Sequence, residues 1–222
     1  RPRRRFSRMA AKTGSIEGLP EWLACRADEP IYEWARLAWK RAKAVAGAWF
    51  DHAKADKVVE LWPKVFRLTE DRFAGKPFRL VAWQEIIVRL LVGWKIPVEV
   101  LDPETGAPQL LHVRLFRRLL LWVPRKNGKS EFLSALALLF WATEGVVGGQ
   151  GFAFARDEKQ AFIVFDKMKA MVALEPRLAS DIQPHKKTMY LKPCAALFQV
   201  VTGSETGKHG KSPTVIVGDE MH

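Results

Sequence analysis

The stretch Val123-Pro-Arg-Lys-Asn-Gly-Lys-Ser130 closes a strongly apolar run, Leu119-Leu-Leu-Trp-Val123, and opens an apolar helical pattern from Glu131 to Ala142. A strand, a tight glycine turn and a helix in that order make a cradle for phosphate. Backbone N–H groups and the positive end of the helix face the anion, and a lysine reaches its β and γ oxygens. On this reading the loop amides of Arg125, Lys126, Asn127 and Gly128 hold the phosphates together with Lys129, and the hydroxyl of Ser130 ligates Mg²⁺. Val123 occupies the place of the first glycine in G-x-x-x-x-G-K-[ST], so the Gly-Lys-Ser triplet needs a partner elsewhere in the chain.

That partner is Thr214-Val-Ile-Val-Gly-Asp-Glu220, four apolar or β-branched residues running into an acidic pair. A buried parallel strand reads as such an unbroken run, and its carboxyl end is where an open α/β sheet places ligands. Asp219 would hold Mg²⁺ directly or through water, and Glu220 would polarise an attacking water. The alternative for an isolated acidic pair is a solvated strand end. A phosphate loop ninety residues upstream leaves room for the intervening helix and one more strand–helix unit. Gln150-Gly-Phe-Ala-Phe-Ala155 followed by Glu158 to Val172 fits that unit, which makes the strand before the loop and the acidic strand expected neighbours.

The elements that must position these groups can be read upstream as well. Pro30 is tolerated at a first helical position, and Ile31, Trp34, Ala38, Ala42, Val45 and Trp49 fall on one face of a helix, with Trp39 and the basic residues on the other sides. Interleaved tryptophan and lysine or arginine can stack bases, but a tryptophan stripe at helical spacing reads first as core. A short helix from Ala53 is expected to end at Pro63, and a third runs from Trp83 to Trp94. Near its start, Gln84 lies 45 residues before Lys129. A carboxamide can both donate to and accept from an adenine edge, so Gln84 is either the base contact or an ordinary surface glutamine. Asp102-Pro-Glu-Thr-Gly106 turns between two extended runs, a hairpin expected at a sheet edge.

Composition bounds the rest. With 222 residues and 48% hydrophobic content, the chain can bury the core of one α/β domain plus a smaller appendage. Two cysteines and five histidines supply neither a disulfide framework nor zinc spacing, which favours a reducing compartment. No apolar stretch approaches the roughly 18 residues of a bilayer span. A formal charge of +12 favours a polyanionic partner. Much of it sits in Arg1, Arg3, Arg4, Arg5 and Arg8, either a nucleic-acid-binding arm or upstream sequence before a start at Met9.

Taken in order, Gly75-Lys-Pro-Phe-Arg-Leu-Val-Ala-Trp-Gln84, Val123 to Ser130, Ala155-Arg-Asp-Glu-Lys-Gln-Ala161 and Lys208-His-Gly-Lys-Ser-Pro-Thr-Val-Ile-Val-Gly-Asp-Glu220 carry a family resemblance. From about Ala55 to His222 the chain resembles the ATPase domain of the large terminase subunit of tailed bacteriophages. The arginine within the phosphate loop is its most specific sign. The resemblance implies an ATP- and Mg²⁺-dependent motor that threads double-stranded DNA into a procapsid in the cytoplasm of the infected bacterium. The implied partners are a portal, a small terminase subunit and further copies of the chain in a ring. It implies that Arg125 stabilises charge on the γ-phosphoryl group. A basic residue reaching a neighbouring subunit's phosphates is expected in the loop before the acidic strand, where Lys208 and Lys211 are the charged candidates. The family's coupling segment and nuclease domain do not fall within these residues, so nothing here is assigned to DNA cleavage, and the 222 residues alone are expected not to hydrolyse ATP.

The expected architecture is α/β and P-loop NTPase-like, a mainly parallel sheet sandwiched by helices with an amino-terminal helical lid. Its parts are a basic, mobile tail over 1–28, a helical region carrying Gln84 over 29–96, and the ATPase core over 97–222. The rival readings are a helicase-like DNA translocase, and a nucleic-acid-binding protein whose nucleotide site is inactive.

Overall fold

The computed structural model describes residues 18–26, 29–102, 104–124, 126–155, 158–201 and 213–219. In chain order the main elements are α1 (Glu21–Ala24), α2 (Glu33–Lys43), β1 (Trp49–Phe50), α3 (His52–Val65), α4 (Ala82–Gly93), β2 (Trp94–Leu101), β3 (Pro108–Arg114), α5 (Lys129–Thr143), β4 (Gln150–Phe154), α6 (Glu158–Leu174), α7 (Pro176–Asp181), β5 (Ile182–Pro184), β6 (Thr188–Leu191), β7 (Ala196–Val201) and β8 (Pro213–Gly218). They fall into two compact units. One comprises the described part of Arg1–Asp56 with Ala82–Arg118, the other Lys57–Val81 with the described part of Leu119–His222.

In the first unit, α2 has Glu33 in its first turn and Lys40, Arg41 and Lys43 in its last, charges that complement the helix dipole. Its buried face is Ala35, Trp39 and Ala42; of the expected stripe Ala42 is buried and Ala38 packs against the core, whereas Ile31 is 70% exposed and Trp34 41%. Both stripes are apolar, and the area of Trp39 decides between them. Its ring packs 4.7 Å from Phe50 and 4.8 Å from Trp94, and its indole N–H donates to the Gly18 carbonyl at 2.9 Å. Leu23, Tyr32, Ile86 and Leu90 complete this core.

The hairpin of β2 and β3 forms as expected, but it belongs to a separate three-stranded antiparallel sheet, ordered β1-β2-β3. Its turn is built by Asp102, whose carboxylate accepts the amides of Thr105 at 2.8 Å and Glu104 at 3.0 Å and the Thr105 hydroxyl. These bonds, the Thr105 amide foremost, hold the Asp102 carboxyl below its ordinary range. Gly106 closes the turn at φ +68°, a left-handed geometry that glycine adopts without strain.

Helix α3 does not stop at Pro63. It continues to Val65, although proline removes one helical hydrogen bond. Packing overrides that loss. Trp62 and Phe66 are buried, and the Trp62 ring packs on the rings of Phe66, Phe78 and Phe132, while Arg67 Nη1 donates to the Pro63 carbonyl at 2.9 Å.

The second unit holds a five-stranded sheet ordered β5-β6-β7-β4-β8. Strand β4 lies between β7 and β8, parallel to both, whereas β7, β6 and β5 pair antiparallel. The sheet is therefore mixed and not mainly parallel. Residues 182–201 supply a meander of short strands with alternating burial, which gives a far weaker signal than the continuous apolar runs of parallel strands. Helix α6 packs on β4 and β7, and α5 packs on α6 and β8, around Phe132, Leu138, Trp141, Phe165, Met168 and Phe198. The run Leu119 to Val123 is a further correction. It joins neither sheet, and Leu120 and Trp122 are 92% and 90% exposed. Apolar character marks a segment that could pair; it does not supply the pairing strand.

Gly151 on β4 is required by its neighbour. A Cβ there would stand 2.1 Å from the ring of Phe198, which is fully buried and stacked on Phe165. Gly151→Ala is expected to lower stability by about 1–3 kcal/mol, the usual cost of overpacking, read as a reduced urea midpoint. An unchanged midpoint would mean that the ring has room to move.

Candidate functional site

The site is assembled in the second unit from two chain segments. Helix α5 begins at Lys129, with Gly128, a residue that has no side chain to cap the turn, as its N-cap in a left-handed conformation, φ +69°. Just before it, Lys126 also has positive φ, +65°, and Asn127 donates to the Pro124 carbonyl at 3.1 Å. Lys126, Asn127 and Gly128 are exposed. The other segment is the carboxyl end of β8, where Asp219 follows Gly218 and is 5% exposed.

The two segments meet at Asp219. Lys129 Nζ lies 2.7 Å from its Oδ1, and the Ser130 hydroxyl donates to its Oδ2 at 2.5 Å. Behind the turn, the buried hydroxyl of Ser134 lies 2.7 Å from the Ser130 carbonyl and 3.1 Å from that of Val164, which ties the first turn of α5 to α6. One ammonium, one hydroxyl and one carboxylate thus converge at the start of a helix. Chemically, a helix start of this kind offers hydrogen-bond donors and positive potential to an anion, and the hydroxyl and carboxylate offer hard oxygen atoms to a divalent cation.

Gln84 is 4% exposed on α4 in the first unit, so it is not an ordinary surface glutamine. Arg125, Glu220, Lys208 and Lys211 lie outside the described residues. One group escaped sequence reasoning. Glu131, next to Ser130, is 8% exposed and accepts the Thr69 amide at 2.6 Å, the Thr69 hydroxyl at 3.0 Å and Lys167 Nζ at 3.1 Å. Its position after the lysine–serine pair was visible, but its partners lie 62 and 36 residues away and carry no motif.

A mixed sheet with a helix starting beside the acidic end of one of its parallel strands brings an anion-binding helix start and hard oxygen donors together. Residues 108–222, just over half of the chain, match the family model for the terminase large subunit, ATPase domain, and the chain belongs to that family. Among solved structures it is similar to the HK97 bacteriophage large terminase, with 22% identity and a TM-score of 0.56 over 75% of this chain and 31% of that one. That likeness concerns the fold, and the chain spans about a third of the length of that protein. No curated protein matches the chain.

Proposed function

We propose that this chain is the ATP-binding and hydrolysing core of a viral DNA-packaging motor that moves double-stranded DNA into procapsids. The observation that carries the reading is the convergence of Lys129 and Ser130 on Asp219 at a helix start whose N-cap is a glycine. The donor set fits a magnesium nucleotide. Amides from Lys126 to Gly128 and the Lys129 ammonium suit phosphate oxygens, while Ser130 and Asp219 supply two oxygens to Mg²⁺, which commonly takes few protein ligands and leaves the rest to water and phosphate. When bound, Mg²⁺ neutralises charge on the β and γ oxygens.

Around that cation the chain's own residues divide the work. Lys129 exchanges its contact with Asp219 for the phosphates. Asp219 then faces the cation, Glu220 orients and polarises the attacking water, and Arg125 stabilises charge on the transferred group. Gln84 reads the adenine edge. Lys208 or Lys211 reaches the phosphates held by a neighbouring copy in a homo-oligomeric ring. In this reading 1–28 is a basic amino-terminal segment whose Leu23 packs into the first unit's core, 29–96 a helical lid and 97–222 the ATPase core, on a P-loop sheet covered by helices. Portal and small terminase subunit are its partners in the cytoplasm of an infected bacterium. Among the described residues, no helix is long and apolar enough to cross a membrane.

The test is thermal unfolding with and without ATP and Mg²⁺. A ligand that binds only the native state at 100 times its Kd stabilises it by about 2.7 kcal/mol. Magnesium and ATP together are expected to raise Tm by more than ATP with a chelator does. No shift with either would contradict the proposal.

A further inference from the structure

The turn that begins α5 carries a carboxylate, Glu131, as its third helical residue. Negative charge there favours the helix dipole, yet it opposes a bound anion at the same turn. A glutamate at this position also commonly reaches back to the N-cap amide and closes the helix start. Here it does not reach back to that amide. Both oxygens are turned away, Oε1 to the Thr69 amide and Oε2 to the Thr69 hydroxyl and to Lys167 Nζ. Lys167, on α6, is itself 8% exposed and holds a second ion pair, with Glu70. A buried ion pair contributes little net stability on average, since desolvation offsets the attraction, so stability is a weak reason for placing one here.

We infer that Thr69, Glu131 and Lys167 form a charge-compensating clamp that draws the carboxylate off the phosphate turn and cancels its field, setting the affinity of the site for nucleotide phosphates. The inference rests on the phosphate-site reading above. It goes beyond that reading by giving an electrostatic role to residues outside the loop and the acidic strand. It also links the segment Arg67–Phe78, held as a loop by the Arg67–Pro77 bridge and by hydrogen bonds between Leu68 and Lys76 and between Phe66 and Phe78, to the first turn of α5.

Substitutions at the two ends of the ion pair separate this role from plain structural support, because they act in opposite directions. Glu131→Gln removes the negative charge, keeps a carbonyl oxygen for Thr69 and leaves Lys167 with Glu70. Lys167→Met leaves the carboxylate uncompensated beside the turn. At an effective dielectric near 20, one unit charge about 10 Å from a phosphate changes affinity by about tenfold. Calorimetric titration with ATP and Mg²⁺ is therefore expected to show Glu131→Gln binding about tenfold tighter than the unsubstituted protein and Lys167→Met about tenfold weaker. The double variant should return close to the starting affinity. Weakening by both single substitutions, or no change in either, would overturn the inference while leaving the site reading intact. If Lys167→Met does not fold, Glu131→Gln alone decides, since unchanged or weaker binding there overturns it. Failure of the unsubstituted protein to bind ATP would overturn the site reading and this inference together.

Discussion

Lys129→Ala, made in a version of the chain carried beyond His222, is expected to abolish detectable ATP hydrolysis and to weaken ATP binding by roughly 10- to 100-fold, about the value of one hydrogen bond to a charged group. The lysine serves two partners in turn. In the structure its ammonium lies 2.7 Å from Asp219, a carboxylate that is 5% exposed. In the proposed cycle it turns to the phosphates. Its removal therefore costs affinity and also takes the ammonium from a buried carboxylate, so Tm in the absence of ligand should fall as well. Calorimetric titration and thermal unfolding of the two proteins check both effects. Unchanged ATP affinity would show that the phosphates bind elsewhere.

Glu220→Gln is expected to behave differently. Glutamine keeps the size and one acceptor oxygen but cannot take up a proton, and loss of a general base commonly costs about 10² to 10⁴ in rate. Binding of ATP with Mg²⁺ should be retained within about threefold, because in this account Glu220 acts on water and not on phosphate. The comparison is made in a version of the chain carried beyond His222, with equilibrium binding measured beside steady-state turnover in the presence of double-stranded DNA. An equal loss of affinity in Glu220→Gln and Lys129→Ala would refute this division of labour.

The parts of the molecule that were legible in the sequence are those whose signal is local and strong. Gly128 before Lys129, with an apolar helical pattern after it, marked the start of α5 because a helix entered through a left-handed residue favours glycine. The continuous runs of β4 and β8 marked strands, and Gln84 stood at the start of a helix whose apolar content gave it away. The contact of Lys129 with Asp219 could be anticipated across ninety residues because a phosphate loop and an acidic strand end are expected to serve one ligand.

Other features depended on partners that one dimension does not display. On α2 two apolar stripes that share Ala42 compete, and only the rings of Phe50 and Trp94 select the one that carries Trp39. Pro63 inside α3 is tolerated because Trp62 and Phe66 pack on either side of it along the chain. The meander β5-β6-β7 consists of strands of three to six residues, too short for periodicity to stand out. The run at Leu119 reads as a strand by composition, yet it joins neither sheet. The clamp at Glu131 is tertiary altogether, with its three members on α5, on α6 and in the loop after α3.

The central claim is that the start of α5 and the end of β8 form one magnesium–nucleotide site. A crystal structure of the protein with Mg²⁺ and a non-hydrolysable ATP analogue tests it most directly. The account predicts that the β and γ phosphates lie against the amides of Lys126 to Lys129, with Lys129 moved from Asp219 onto phosphate oxygen. It also predicts one metal ion about 2 Å from the Ser130 hydroxyl, with Asp219 in its first or second coordination layer. Nucleotide bound away from this turn, or a metal ion with no contact to Ser130 or Asp219, would contradict it.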